Sequence, residues 1–300
     1  MIILVNNKAI KYISLVITIL FIFSISFIWV LSITTDVFND TQSIRLTEEG
    51  IPVPIIMYHS ILKTSKEMGK YVITPIEFEN DLKYLKQNGY SSINMTELIN
   101  YVYNNYELPL KPVIITFDDG NLNNYLYGKP LLQKYEMKAV ISVIGEFTES
   151  FSNYPPPTND PNYAYVSWDQ IKEMSETGYF EIQNHTYNLH SATNKRNGTK
   201  KNKGESLESY QSVLSSDIVK LQNKLTEVTG ITPNTFTYPF GSISKESKDI
   251  LKDLGFKATL SCLEGVNVIG RNKSDVLFGL KRNNRPHGIS SEKFFKKICP

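Results

Sequence analysis

Two adjacent carboxylates, Asp118 and Asp119, follow an apolar run that ends at Phe117, and Gly120 comes next. Ionised carboxylates at the end of a buried strand are costly unless a metal, a cation or a proton compensates their charge. Side chains of consecutive strand residues point to opposite faces, but a turn that begins here can bring both round one site. Gly120 supplies the backbone freedom for such a turn. A simple turn that closes a strand, with no chemical role, is the competing interpretation.

The chain has four histidines, and they also follow strand candidates. His59 ends the first strand candidate, His185 ends the fourth, His190 follows in the same loop, and His287 lies shortly after the last. Functional side chains of parallel α/β sheets sit at the carboxyl ends of strands. The pattern therefore predicts that the two aspartates and at least three of the histidines share one face of the sheet.

Two imidazoles and one carboxylate make a three-ligand metal site with a position left for water. His185 and His190 are five residues apart, so a turn rather than one helix face must bring them together. This donor set suits zinc best, and Co²⁺, Fe²⁺ or Ni²⁺ would also bind it. A metal in such a site ionises water near neutral pH, and the second carboxylate then acts as the general base. We therefore expect one aspartate on the metal and its neighbour off it.

A turn of sequence Tyr238-Pro239-Phe240-Gly241 ends the fifth strand candidate. Backbone N–H groups in a tight turn of this kind can point at a developing oxyanion. A Pro-x-Gly turn after a strand is usually only a turn, so the pattern by itself carries little weight.

Strand-like and helical segments alternate after residue 51, which predicts a parallel sheet. Seven strand candidates over about 250 residues favour a barrel-like α/β domain, with a doubly wound open sheet as the alternative. The strand candidates are Val53–Tyr58, Val113–Phe117, Ala139–Ile144, Phe180–Gln183, Thr235–Tyr238, Ala258–Ser261 and Val276–Leu280.

Helix boundaries are marked by capping residues. Thr74 and Glu77 form a capping box around Pro75, and a second box begins at Ser167. A long apolar stripe runs from Tyr210 and stops at Gly230, and a further helix is predicted over 242–254.

The N-terminal region contains an uncharged, apolar stretch at residues 12–34, which is long enough to cross a bilayer as a helix. It lacks the small-residue cleavage pattern of a signal peptide, and Lys8 and Lys11 precede it. The positive-inside rule then predicts a cytoplasmic segment 1–11, a signal anchor 12–34, a linker 35–50 and an extracytoplasmic domain 51–300.

Composition excludes some classes of protein. The net charge of +2 does not indicate a nucleic-acid binder, and Cys262 and Cys299 have no CxxC spacing for a cysteine zinc site. The two cysteines could form one disulfide if the domain lies outside the cell. A proline-rich stretch, 155–161, and a basic stretch, 195–204, are predicted to be exposed loops.

These motifs together resemble the polysaccharide deacetylases, carbohydrate esterase family 4, also called the NodB homology domain. Thr116-Phe117-Asp118-Asp119-Gly120 matches the first motif of that family, and Tyr238-Pro239-Phe240-Gly241 matches the core of the third. The segment from His185 to His190 matches the second motif with one extra residue, as in deacetylases of poly-N-acetylglucosamine. Pro54-Ile55-Ile56-Met57-Tyr58-His59 is similar to family members with an N-terminal strand of this type.

The resemblance implies a distorted (β/α) barrel of about seven strands over residues 51–300. It implies Asp118 as the general base, Asp119, His185 and His190 as metal ligands, and the backbone N–H of Phe240 as an oxyanion donor. The expected reaction is metal-dependent removal of N-acetyl groups from peptidoglycan or poly-N-acetylglucosamine.

The chain departs from the family pattern at three places. The third motif often opens with an arginine that orients the base, and Tyr238 stands there. The fourth motif has no clear match near 258–268. Leu280-Lys281-Arg282 occupies the place where the fifth motif supplies a histidine as general acid, and His287 is the candidate to serve instead.

The leading hypothesis is thus a membrane-anchored, monomeric, extracytoplasmic de-N-acetylase of a surface glycan. An esterase acting on O-acetyl groups, as on xylan, is one alternative, because its chemistry is nearly the same. A non-catalytic glycan-binding barrel is the other, although a mere binder has no need for Asp118 beside a metal ligand.

Overall fold

The computed structural model describes residues 15–21, 23–29, 50–64, 66, 68–153, 155–193 and 196–299. The chain divides into two compact units, Met1–Gly50 and Ile51–Pro300. In the first unit, residues 15–21 and 23–29 are helical. Within the described ranges, no helix is both long enough and apolar enough for a membrane span. The remainder of the predicted anchor, together with residues 1–11 and 35–49, lies outside the described residues.

The second unit is built round a sheet of nine strands, and every pairing within it is parallel. The bounds of its strands are β2 Ile55–Tyr58, β5 Ser91–Ser92, β6 Pro112–Phe117, β7 Ala139–Val143, β8 Phe180–Asn184, β9 Thr235–Thr237, β10 Ala258–Leu260, β12 Phe278–Leu280 and β13 Asn283–Asn284. In spatial order the strands are β12-β10-β9-β8-β7-β6-β2-β13, and β5 also pairs with β6. Two small pairs lie outside this sheet, β1 Ile51–Val53 with β11 Asn267–Ile269, and β3 Ser60–Ile61 with β4 Val72–Ile73.

The sheet curls into a barrel-like form, and the chain order shows why. Strands β12 and β13 are at opposite ends of the spatial order, yet only Lys281 and Arg282 separate them in sequence. Leu280 and Asn283 are three Cα–Cα steps apart, which span at most about 11 Å, so the two edges of the sheet must approach one another. We call Lys281–Arg282 the closure link. Asn267 holds it by donating to Lys281 O at 2.9 Å and accepting from Lys281 N at 2.9 Å.

In the part of the second unit that the structure describes, eight α-helices surround the sheet. Their bounds are α1 Pro75–Gln87, α2 Met95–Tyr103, α3 Lys129–Tyr135, α4 Gly145–Ser152, α5 Trp168–Glu176, α6 Leu207–Thr229, α7 Ser247–Asp253 and α8 Ser291–Ile298. Both predicted capping boxes are present, at Thr74 and at Ser167, and α6 ends at Gly230, whose φ of 71° is left-handed. Helix α7 is shorter than the predicted 242–254 because the chain makes turns before Ser247.

The predicted parallel, barrel-like sheet is confirmed. Among the described residues it contains nine strands, whereas about seven were expected. The missing strands, β5 and β13, contain two residues each and carry no alternating or apolar pattern. The central strands β2, β6 and β7 are buried along their whole length. Both faces of these strands are therefore covered. Ile56 and Ile115 pack in a cluster with helix residues, whereas Ile55, Ile114 and Val140 pack in a cluster with residues of other strands. Cys262 and Cys299 are free thiols.

A buried ion pair joins α1 to the segment that follows β13. Arg285 Nε donates to Asp81 Oδ2 at 2.8 Å, and both side chains are almost completely buried. Tyr58 Oη and Ser291 Oγ donate to the same carboxylate at 3.0 and 2.6 Å. Asp81 thus accepts hydrogen bonds from β2, from α8 and from the segment after β13. These bonds connect the three elements to α1 and hold the end of β2 at residue 58 in place.

Candidate active site

The turn after β6 places the two aspartates. Asp118 N donates to Tyr58 O at 3.0 Å and so continues the ladder between β6 and β2. Asp119 has a φ of 72° and Gly120 a φ of 79°, so the chain reverses through two left-handed residues. A non-glycine residue held in this region stores strain that the surroundings must offset, which is common at functional sites. A Cβ at Gly120 would lie 3.0 Å from Val143 Cγ1, so a side chain there would be both strained and crowded.

The predicted ligands meet at one point. Asp119 Oδ1 is 3.5 Å from His185 Nε2 and 3.3 Å from His190 Nε2. The three ligand atoms all lie within 4.8 Å of one another. The extra residue between the two histidines is accommodated by the loop after β8, where Thr186 has a φ of 73°.

The tautomer of His185 suits a metal ligand. Its Nδ1 lies 2.8 Å from Thr237 O, and a carbonyl oxygen only accepts, so Nδ1 carries the proton. Nε2 therefore presents its lone pair toward Asp119 and His190. In open zinc sites, the ligands are often a carboxylate and histidines whose other ring nitrogen donates to a carbonyl oxygen. The three side chains therefore fit a divalent metal.

Asp119 carries its charge in a partly buried place. Burial raises its pKa, but the neighbouring imidazoles of His185 and His190 outweigh that effect and hold the pKa well below its usual range. An ionised carboxylate is the form that a metal requires.

The second carboxylate is held by a residue that the sequence reasoning assigned to no role. Arg282 Nη1 and Nη2 donate to Asp118 Oδ1 and Oδ2 at 2.6 and 2.8 Å. Burial raises the pKa of Asp118, and the adjacent Arg282 charge outweighs burial and lowers it overall. Arg282 Nε donates to Ser261 O at 2.8 Å, which fixes the guanidinium plane. The base-orienting arginine thus comes from the closure link and not from the third motif, where the hydroxyl of Tyr238 instead lies 2.9 Å from Ser247 Oγ.

His59 ends β2 and lines the same cleft as the two aspartates. Its Nδ1 is buried and has no hydrogen-bond partner among the described residues. Burial lowers its pKa, while the charges of Asp118 and Asp119 act in the opposite direction. The ring packs against Tyr71, with the ring centroids 4.6 Å apart.

The structure does not bring His287 to the cleft. His287 Nδ1 lies 2.7 Å from Glu77 Oε2, at the N-terminal end of α1, and His287 is not among the residues that line the cleft. Glu77 already serves the capping box of α1, so this contact joins two surface segments. Apart from His185 and His190, the histidine that lines the cleft with both aspartates is His59, and its position directly after a strand is the signal that could have identified it.

Phe240 lies in the Pro239–Gly241 turn with a φ of 56°. Its ring packs on His190, with centroids 4.5 Å apart, and it is part of the cleft wall. A Cβ at Gly241 would lie 2.8 Å from Cys262 Cβ, so only glycine fits at that position. The predicted basic loop supports this turn from outside, because Thr199 Oγ1 donates to Ser242 O at 3.1 Å.

The cleft has a volume of about 610 Å³, a size typical of small-molecule sites. Asn162 and Tyr165 form one wall of it. They follow the proline-rich stretch, which the sequence predicted only as an exposed loop. Val166 N donates to Gly120 O and Leu122 N donates to Ala164 O, both at 2.9 Å, so this segment is fastened directly to the aspartate turn.

The sequence profile of a known family, described as polysaccharide deacetylase, matches residues 105–259. A poly-beta-1,6-N-acetyl-D-glucosamine N-deacetylase of Staphylococcus epidermidis is 30% identical over 204 residues, which are 68% of this chain and 66% of that protein. The protein of the same name in Staphylococcus aureus is 27% identical over 201 residues, 67% of this chain and 64% of that protein. The matched region thus spans slightly less than two thirds of these relatives.

Solved structures show a similar fold. The Streptococcus pyogenes deacetylase PplD, in complex with acetate, has a TM-score of 0.67 at 25% identity and covers 84% of this chain and 100% of its own. IcaB from Ammonifex degensii has a TM-score of 0.64 at 26% identity and covers 79% of this chain and 94% of its own.

Proposed function

Because this chain belongs to the polysaccharide deacetylase family, we propose that it hydrolyses N-acetyl groups of a polysaccharide and releases acetate. One observation carries the proposal. In the cleft, the buried guanidinium of Arg282 donates two hydrogen bonds to the carboxylate of Asp118. Asp118 lies directly beside the cluster of Asp119, His185 and His190. A general base next to a metal site is the arrangement that hydrolysis of an unreactive amide needs.

The proposed substrate is a polymer of β-1,6-linked N-acetylglucosamine. Support comes from the relatives of two Staphylococcus species, whose names specify this polymer. Peptidoglycan is the second candidate polymer, since its sugars carry the same N-acetyl group.

We assign Asp119, His185 and His190 to a divalent metal, with zinc as the best fit to two imidazoles and a carboxylate. When bound, such a metal supplies Lewis-acid activation of the acetyl carbonyl and of water. The chain's own contribution at this point is a set of ligands whose protonation states are already fixed, by Thr237 O for His185 and by the two histidines for Asp119.

Asp118 acts as the general base and takes a proton from the attacking water. Arg282 keeps the carboxylate ionised and holds both oxygens in place, so that the carboxylate meets the water in one orientation. As the new C–O bond forms, the carbonyl oxygen becomes negative, and we assign the backbone N–H of Phe240 as a donor to it.

His59 protonates the leaving amine when the C–N bond breaks, which gives acetate and a free amino sugar. Support for this role is its place in the cleft, together with the exclusion of His287 from it. A site without an arginine to orient Asp118 would favour a non-catalytic barrel, and Arg282 supplies that arginine.

The proposal extends to location. Residues 15–21 and 23–29 are helical, and their large apolar side chains are exposed, with Leu20, Phe23 and Trp29 each more than 60% exposed. Apolar side chains that face outward suit a lipid environment, which supports a membrane anchor at 12–34 with the catalytic domain on the extracytoplasmic side. We propose that the domain acts as a monomer on the cell's own glycan.

The test uses the full chain in detergent, loaded with Zn²⁺ or Co²⁺, and measures acetate release. The substrates are β-1,6-linked N-acetylglucosamine oligomers, peptidoglycan and acetylated xylan. Release from the oligomers supports the proposal, and release from xylan alone would identify an O-acetyl esterase. No release from any of the three by protein with measured metal content would show a binding protein instead.

A further inference from the structure

A second cavity, of about 360 Å³, lies beside the active-site cleft, and Tyr165 lines both. We call it the side cavity. It lies between the C-terminal end of α4 and the first turn of α5. Its lining includes Phe151, Asn153, Asn159, Tyr165, Trp168 and Asp169.

The wall between the cleft and the side cavity is firmly held. The ring of Tyr165 packs on Phe147 and Phe151, with centroid distances of 4.5 and 5.7 Å. The backbone of Tyr165 forms an antiparallel bridge with Asn121, just beyond the aspartate turn. The position of Tyr165 is therefore fixed relative to Asp119, and the two cavities keep a constant spacing.

The side cavity combines aromatic rings with free polar groups. The side chains of Asn153, Asn159 and Asp169 are exposed and make no hydrogen bond or ion pair with any described residue. Phe151 contributes ring surface, and Trp168 lines the cavity although it is only 9% exposed and its Nε1 is bonded to Glu149 at 2.7 Å. Aromatic faces pack on the C–H faces of a sugar ring, while amides and carboxylates bond to its hydroxyl groups.

The charge of the lining residues also limits which kind of sugar the side cavity can bind. Among the described residues that line the side cavity, Asp169 is the only one with a charged side chain. A carboxylate repels an anionic sugar and accepts hydrogen bonds from hydroxyl, amide or amine groups. The lining thus suits an uncharged or amine-bearing sugar unit.

We propose that the side cavity is a subsite for another sugar unit of the same glycan chain whose acetyl group lies in the cleft. The chain crosses Tyr165 and places its next units against Trp168 and the two asparagines. This inference rests on the proposed function. It implies that the activity of the enzyme depends on the length of its glycan substrate. Binding at the side cavity positions the acetyl group, so its effect grows once the oligomer is long enough to reach it.

The first test compares kcat/KM for N-acetylglucosamine oligomers of one to six units, using the metal-loaded full chain. We expect kcat/KM to rise about tenfold once the oligomer reaches the side cavity. Asn153→Ala/Asn159→Ala should abolish that rise and leave the single-unit substrate unchanged. Gln211→Ala, an exposed amide on α6, is the matched control and should behave as wild type. A rise that persists in the double variant would overturn the proposal, and so would the absence of any rise.

The second test separates this inference from the proposed function. The chain has two tryptophans, so Trp29→Phe leaves Trp168 as the single fluorophore. We expect the N-acetylglucosamine hexamer, but not the single sugar, to change its emission, and Asn153→Ala/Asn159→Ala to remove the change. This readout does not depend on turnover. An unchanged emission at saturating hexamer would overturn the subsite even if the protein proves to be a deacetylase.

Discussion

Arg282 binds both carboxylate oxygens of Asp118, at 2.6 and 2.8 Å, from the two-residue link that joins the opposite edges of the sheet. Both side chains are buried, so bulk solvent screens the attraction between the two charges only weakly. A bidentate guanidinium fixes direction as well as charge, which a lysine cannot do. The proposed general base and the arginine that orients it are therefore one structural unit.

Arg282→Lys should move the acidic limb of the pH–kcat/KM profile to higher pH. The pKa of Asp118 is lowered by Arg282 against the effect of burial. When that interaction weakens, the pKa rises, and Asp118 stays protonated, and inactive as a base, up to a higher pH. We expect activity at neutral pH to fall roughly tenfold or more. The control is Lys281→Ala, an exposed neighbour in the same link. An acidic limb that does not move would show that Asp118 is not the titrating base.

Asp118→Asn and Asp119→Asn should have different effects on metal content. Asp118 binds Arg282, whereas Asp119 lies with the two histidines. We therefore expect Asp118→Asn to keep its metal while turnover falls by about 10²–10⁴, the range for loss of a general base. Asp119→Asn and His185→Ala should lose the metal. Elemental analysis of the purified variants checks this, and equal metal loss in both asparagine variants would contradict the assignment.

His59→Ala should impair amide hydrolysis far more than hydrolysis of an activated acetyl ester. The amine needs a proton to leave, but a nitrophenolate does not. We expect a loss of about 10²-fold on N-acetylglucosamine oligomers and a much smaller loss on nitrophenyl acetate. His287→Gln is the control, because His287 contacts Glu77 outside the cleft, and it should stay within about twofold of wild type. Equal losses on the amide and the ester in His59→Ala would argue against a proton-donor role.

Arg285→Met should destabilise the fold by about 3–5 kcal/mol, because it leaves the buried Asp81 charge without its partner. Asp81→Leu combined with Arg285→Met removes both charges and should recover most of that free energy. Urea unfolding of the two single variants and the double variant measures the coupling. If the double variant is as unstable as the sum of the single ones, the pair does not act as a unit.

Local signals in the sequence predicted local structure well. Thr74 and Ser167 mark helix starts because a capping box needs only residues three apart. The apolar runs before Asp118 and His185 identified their strands, and the strand-end rule placed the metal cluster. Helix α2 has a capping box of the same kind, at Asn94 and Glu97, which the sequence reading overlooked.

What the sequence reasoning missed depends on distant pairings. Arg282 lies 164 residues from Asp118, and their contact follows from a two-residue strand that has no apolar pattern. His287 meets Glu77, 210 residues away, for the same reason, since the fold of the last segment decides which surface it covers. Motif spacing alone found no arginine to orient Asp118, and it offered as proton donor His287, which the structure places outside the cleft.

The closure link also sets the order in which the site is completed as the chain is made. The three proposed metal ligands, Asp119, His185 and His190, precede Arg282 in the sequence, and so does Thr237, whose carbonyl oxygen orients His185. Arg282 and β13 are synthesised after these residues, and the barrel cannot close without them. A nascent chain that has passed His190 but not Arg282 would thus carry the three proposed ligands but no guanidinium to hold Asp118, and the proposed site would be complete only when β13 has paired with β2.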